Sequence, residues 1–236
     1  MEMQKEALEY LVELGNNEIS EIGGRTFSRH PLQVVKTPVV APIVVRSLSG
    51  LVGYLQSKFD VDLPLMVHVE SPTRVSAFST VNPDAARNVF IQAEALLPEM
   101  RFGQWYETEE FNIKLQSVFV NAGDRATILK VVGNIQEENV SKTGDDGVSQ
   151  KVTVKTGVAT VADVVVPNPV SLYPFRTFVD QQPESLFVFR MKSGPACALF
   201  DADGGAWKVE AMDTIKDYLE ETLSEQIADG KIVIIA

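Results

Sequence analysis

The chain has 236 residues, 45% of them hydrophobic and 22% charged, and a formal net charge of −11. That length buries a full apolar core in one large domain or two small ones, and the composition is globular, which excludes a disordered or fibrous chain. Its acidity opposes general nucleic-acid binding, since phosphates repel an acidic surface, and the apolar runs at 39–45 and 232–236 are far short of the roughly 20 residues that cross a bilayer.

The opening MEMQKEALEY lacks the basic-then-apolar order of a secretory signal. A single cysteine, Cys197, allows no internal disulfide and leaves too few thiols for a structural zinc site. A reducing compartment is expected, with Cys197 a small buried apolar residue.

In chain order, residues 2–14 place Ala7, Leu8, Leu11, Val12 and Leu14 along one side of a helix that Gly15-Asn16 ends. From Arg25 to Val45, β-branched residues punctuated by Pro31, Pro38 and Pro42 predict an extended arm or edge strand, because proline removes ladder donors. Helical spacing returns at 47–59 through Leu48, Leu51, Val52, Leu55 and Phe59. Strands are predicted at 65–70 and 74–81, joined as a hairpin around Ser71-Pro72; at 88–95 the apolar pattern admits either a strand or a helix, and the alternation favours a strand. Acids in the first turn followed by Phe111, Leu115 and Phe119 predict a helix over 107–120. Asp124 is positioned to cap another at 125–132. Residues 135–166 read as β structure with a turn at 144–147, and further strands are predicted at 170–179, 186–191, 196–200 and 206–210. Asp213 then opens a last helix carrying Ile215, Leu219, Leu223 and Ile227, and residues 231–236 form a terminal strand. Strands and helices segregate, which predicts an α+β fold, mainly antiparallel, with about five helices. The N-terminal helix and arm, 1–44, precede a single α+β domain at 45–236.

Charge is unevenly placed. Residues 22–59 hold five bases, Arg25, Arg29, Lys36, Arg46 and Lys58, and no acid, which leaves −16 on the rest of the chain. Residues 213–229 hold six acids against Lys216 alone. Opposite patches of this kind pair within a subunit or between identical subunits.

No nucleophile elbow, phosphate loop or dinucleotide fingerprint is present. His30 and His68 lack the number and spacing of a histidine metal site. The run Asp201-Ala202-Asp203-Gly204-Gly205 brings two carboxylates beside a glycine turn, but the position where a calcium loop needs its glutamate holds Met212. A tight turn whose aspartates are solvated or hold backbone donors is the simpler reading, and Asp145-Asp146-Gly147 is read the same way. Phe102, Trp105 and Tyr106 are expected in a core or a subunit contact. Neither a metal nor a cofactor is expected.

The strings HVESPTRV at 68–75, LQSVFV at 115–120, DDGVSQ at 145–150, YPFRTF at 173–178, QPESLFVFR at 182–190 and ALFDADGGAWK at 198–208, taken in this order, resemble the YfdQ-like proteins of bacteriophages and prophages, a family of unknown function. The resemblance spans roughly residues 45–236. It implies an accessory protein in the cytoplasm of a bacterial host and supplies no catalytic residues. Arg176, Arg190, Asp201, Asp203 and Lys208 fall within these strings as candidate ligand-binding residues, or equally as ion pairs and turns.

Three functions follow as expectations. The first is a non-enzymatic protein that assembles with itself into a ring or shell-like particle, with no membrane contact, using Arg25, Arg29, Lys36 and Arg46 against an acidic neighbour. The second is an accessory factor of phage DNA metabolism that binds single-stranded DNA, which the overall acidity opposes. The third is a binder or hydrolase of a host nucleotide signal acting through Arg176, Arg190, Asp201 and Asp203.

Overall fold

A computed structural model of the chain describes residues 5–15, 19–22, 25–28, 38–60, 62, 64–83, 85–133, 143–145, 150–156, 160–178, 182–192 and 196–236. The chain divides into two compact units, 1–39 and 40–236. In the first, helix α1 (Lys5–Gly15) precedes an antiparallel hairpin of β1 (Ile19–Ile22) and β2 (Arg25–Ser28), with Ile22 opposite Arg25. The expected helix is there, whereas the hairpin was not expected. Its signal in the sequence is Gly23-Gly24, a pair that two-residue hairpin loops favour.

The second unit runs β3 (Ile43–Val45), α2 (Leu48–Ser57), β4 (Leu65–Ser71), β5 (Arg74–Ser79), β6 (Val89–Glu94), β7 (Tyr106–Glu107), α3 (Thr108–Val118), α4 (Arg125–Gly133), β8 (Thr143–Asp145), β9 (Gln150–Thr156), β10 (Thr160–Val166), β11 (Val170–Leu172), β12 (Ser185–Lys192), β13 (Ala196–Asp201), α5 (Trp207–Thr222), α6 (Ser224–Ala228) and β14 (Ile232–Ile235). A five-stranded sheet has the order β14-β4-β5-β6-β3, a four-stranded sheet β11-β12-β13-β7, and a three-stranded sheet β10-β9-β8. Among the described residues every pairing is antiparallel except the two outer ones of the large sheet, β3 with β6 and β14 with β4. The fold is α+β, as composition and patterning lead one to expect.

Two apolar cores result. The five-stranded sheet buries Val67, Val69, Val75, Ala77, Ile91 and Ala93 against α2 and α5, which contribute Leu51, Leu55, Ile215 and Leu219. Helix α2 forms where the periodicity places it because the Ser47 hydroxyl accepts the Gly50 N–H at 3.1 Å and its apolar stripe has a sheet to cover. The four-stranded sheet buries Leu172, Phe187, Phe189, Cys197 and Leu199 against α3 and α4, with Phe111 and Leu115 on α3 at four-residue spacing. Each such side chain, fully buried, contributes on the order of 1.5–3 kcal/mol of transfer free energy.

Four expectations are corrected. Residues 206–210 belong to α5 rather than to a strand: Trp207 extends the Ala211, Ile215, Leu219 stripe back by one four-residue step, and Val209 stands in solvent. The last helix is interrupted at buried Leu223, so α6 is separate and Ile227 is partly exposed. The strand expected from Val170 stops at Leu172, and the chain continues as an irregular loop. Asp124 does not cap its helix by its side chain, which instead accepts the Ser171 N–H at 2.8 Å and ties α4 to β11. The turn expected at Asp145-Asp146-Gly147 lies largely outside the described residues, Asp145 being the end of β8.

Candidate functional site

The loop after β11 carries Arg176 and is fastened on both sides. On one side the Val120 N–H donates to the Tyr173 carbonyl at 2.9 Å and the Phe175 N–H to the Val118 carbonyl at 2.8 Å, holding the loop on the end of α3. On the other, the buried Gln182 side-chain carbonyl accepts the N–H groups of Arg176 and Thr177 at 3.0 and 3.2 Å. The buried Thr177 hydroxyl then donates to the Pro72 carbonyl at 2.9 Å, in the turn between β4 and β5. The next residue, Phe178, packs on the core of the five-stranded sheet. Three consecutive residues thus reach both cores.

Arg176 lies with its guanidinium carbon 3.8 Å from the centre of the Trp207 ring and 5.7 and 5.9 Å from those of Phe187 and Phe102. Its terminal nitrogens are 3.6 Å from Asp201 and 3.6 Å from Asp203, ion-pair distances beyond normal hydrogen-bond length, and one of them donates to the Ser185 hydroxyl. The side chains of Arg176 and Asp203 are each 11% exposed, that of Asp201 48%. Burial pulls Arg176 down to about 10, although both carboxylates act to raise it. Burial also pushes the Asp201 carboxyl above its ordinary value, opposed by Arg176 and Lys208. Desolvation therefore outweighs charge pairing, the usual balance for an ion pair taken out of water. The Arg176 Nε and one Asp203 oxygen have no hydrogen-bond partner.

Of the residues singled out in the sequence, Arg176, Asp201 and Asp203 come together, and Lys208 stands beside them with its Nζ 6.0 Å from the Trp207 ring. Arg190 does not join them. On β12, Ser185, Phe187, Phe189 and Met191 face the core while Arg190 alternates to the other face. Asp203 accepts the Gly205 N–H at 2.9 Å, so it holds a backbone donor at the glycine turn as expected, but the turn leads from strand to helix rather than between strands. Trp207, Ser185 and Gln182 were not anticipated. Only the position of Trp207 beside Lys208 within one string hinted at its part.

Arg46 is engaged in its own unit. Its guanidinium meets Glu94 at 3.0 Å, and Arg74 meets the other Glu94 oxygen at 2.7 Å, which holds Glu94 below the usual carboxylate range. Arg74 and Glu94 help line an open polar concavity of about 530 Å³ with Glu70, Ser71, Thr73 and Ala95. A second, more apolar groove of about 620 Å³ lies along β14 between Glu220 and Ser224 of the helices and Ile227, Gly230 and Val233. Arg25 lies in β2, while Arg29 and Lys36 fall outside the described residues. His68 is half-buried, edge-on to Phe78 at 6.4 Å. Cys197 is fully buried and its thiol is pushed up to about 12, so it packs as an apolar residue.

Among the described residues, no group of three or more His, Cys, Asp or Glu side chains is arranged to hold a metal, and no helix is long and apolar enough to cross a membrane. Phe102 and Tyr106 serve the core, as expected, while Trp105 is partly exposed against Phe200 and Lys192. No family model, curated protein or solved structure matches the chain. Fold and site together define an α+β protein with two cores, joined at a buried arginine cluster whose charges are matched from within.

Proposed function

We propose that the chain is a bacteriophage- or prophage-type accessory protein that assembles with copies of itself into a ring or shell-like homo-oligomer in the host cytoplasm and acts without chemistry of its own. The observation that carries this reading is the charge division. The segment of five bases and no acid leads into and past β3, while the segment of six acids and one base forms most of α5 and all of α6, ahead of β14. These strands are the two opposite edges of one sheet. Along the chain the basic segment precedes and includes β3 while the acidic one precedes β14, although Arg46 itself meets Glu94; opposite charges on identical chains favour head-to-tail contact, which closes into rings or shells when the rotation between neighbours permits.

The Arg176 cluster supports the non-catalytic part of the reading. Its two carboxylates already face a guanidinium stacked on Trp207. A nucleotide ligand would have to replace those contacts.

Light scattering on the purified protein at low and high salt tests the proposal. The expected result is a discrete mass that is a multiple of 26.0 kDa and falls as salt screens the charged contact, the Debye length shrinking from about 10 Å at 0.1 M to about 3 Å at 1 M. A particle of 26.0 kDa at every concentration and salt would overturn it.

A further inference from the structure

The five-stranded sheet has two open edges. Among the described residues β3 pairs only with β6 and β14 only with β4. Both edges leave apolar side chains in the open: Val40, Ile43 and Val44 at 45–52% exposure on one, Val233 and Ile235 at 53% and 38% on the other. Exposed edges are usually guarded by charge, because their free N–H and C=O groups template pairing with another chain. Residues 232–236, IVIIA, carry no charged side chain at all.

Strand direction decides how a second copy fits. β4 and β6 both run antiparallel to β5, and β14 and β3 run parallel to β4 and β6 respectively. The two edge strands therefore point the same way. Moving one copy sideways across the sheet brings its β3 beside the other's β14 in parallel, the arrangement each edge strand already uses within its own sheet. Resting on the self-assembly reading above, we infer that residues 38–45 of one copy dock along β14 of a second copy, extending its sheet and covering the groove between β14 and α6.

Three features select this occupant. Pro38 and Pro42 hold the approach to β3 extended, so Val39 and Val40 are presented ahead of the strand, matching the apolar floor formed by Ile227 and Val233. Charge does not oppose it, since the groove is rimmed by Glu220 within the acidic 213–229 segment, whereas 38–45 carries no charged side chain. Of the two symmetric alternatives, β14 against β14 would set acids against acids, and β3 against β3 would leave the apolar groove along β14 uncovered.

Two exposed positions allow a test that leaves the core untouched. Val44→Lys and Ile235→Lys each place a charge at one side of the contact, with thermal unfolding followed alongside to show that each variant folds. Each is expected to raise the concentration at which the oligomer dissociates by about tenfold or more. Val40→Cys and Val233→Cys proteins, each treated with a mild oxidant alone and as a mixture of the two, are expected to cross-link only in the mixture. If wild-type oligomers persist and neither lysine variant weakens them, or if either cysteine variant cross-links efficiently with itself, this contact is wrong and self-assembly stands by another route. A monomeric wild type removes both readings together.

Discussion

Arg176 sits where two cores meet, and its energetics are those of a charge that has lost most of its water. Removing a guanidinium from solvent costs several kcal/mol, returned in part by carboxylates and by the face of an indole. Depression of Arg176 to about 10 shows that the return is incomplete. The consequence for mutation is asymmetric. Arg176→Met would leave the Asp203 carboxylate, 11% exposed, without a counter-charge, and a loss of about 3 kcal/mol is expected. In the double variant Arg176→Met, Asp203→Asn that charge is gone, while the asparagine oxygen still accepts from Gly205, so most of the stability should return. Urea midpoints of the two variants measure this directly, and equal destabilisation by both would mean that the stacking on Trp207, not the ion pair, holds the loop. Asp201, half-exposed, keeps part of its hydration in either case, so its loss of Arg176 costs less than that of Asp203.

At the scale of elements, what could be read from sequence was local. The 47–59 helix and the 65–81 hairpin were legible because their periodicity and caps act between near neighbours, and the same holds for β12 and β13, whereas the pattern of β6 also admitted a helix until its pairing with β5 settled it. The start of α5 was not, because Trp207 and Val209 are strand-favouring residues whose helical state is fixed only by the cores beneath. The parallel pairings of β3 and β14 were illegible for a related reason: they join segments far apart in the chain, and no local pattern encodes the partner. Arg176, Asp201 and Asp203 were singled out by the strings they fall in, while Trp207 and Gln182 were missed because only the folded loop brings them to the arginine. Two glycines separate local from tertiary constraint. Gly123, at φ +58, would set an alanine Cβ 2.5 Å from the Ser171 carbonyl oxygen, whereas Gly230, at φ +69, has open space around it. Gly230→Ala should cost only the left-handed backbone penalty of about 1–2 kcal/mol. Gly123→Ala should cost clearly more, because α4 must move off β11. Thermal melts of the pair would show the difference, and equal losses would remove the role given to that close approach.

For the molecule as a whole, the two units carry different burdens. Both apolar cores are built from residues beyond 44, so the unit at 40–236 holds its own interior. The unit at 1–39 has a helix on which Leu8 and Val12, one turn apart, are 48% and 61% exposed. Interface size connects this to assembly. Four residues of β14 extend about 13 Å, and strand pairing alone falls well short of the roughly 20–30 residues a side that a stable contact uses. If the chain assembles as proposed, the rest of that surface must come from elsewhere, and the exposed apolar side of α1 with the basic segment after it is the part of the chain suited to supply it. Removing residues 1–37, which keeps the 38–45 segment whole, should therefore leave the main unfolding transition within about 1 kcal/mol of the full chain's, since no core residue is lost. The same truncation should lower the native mass, or shift dissociation to higher concentration by about tenfold or more, even though β3 is still present. Sedimentation and urea unfolding on one preparation read both quantities. A truncated chain that unfolds early would place part of the core's support in the first unit, and one that keeps its full mass would confine the contact to the sheet edges.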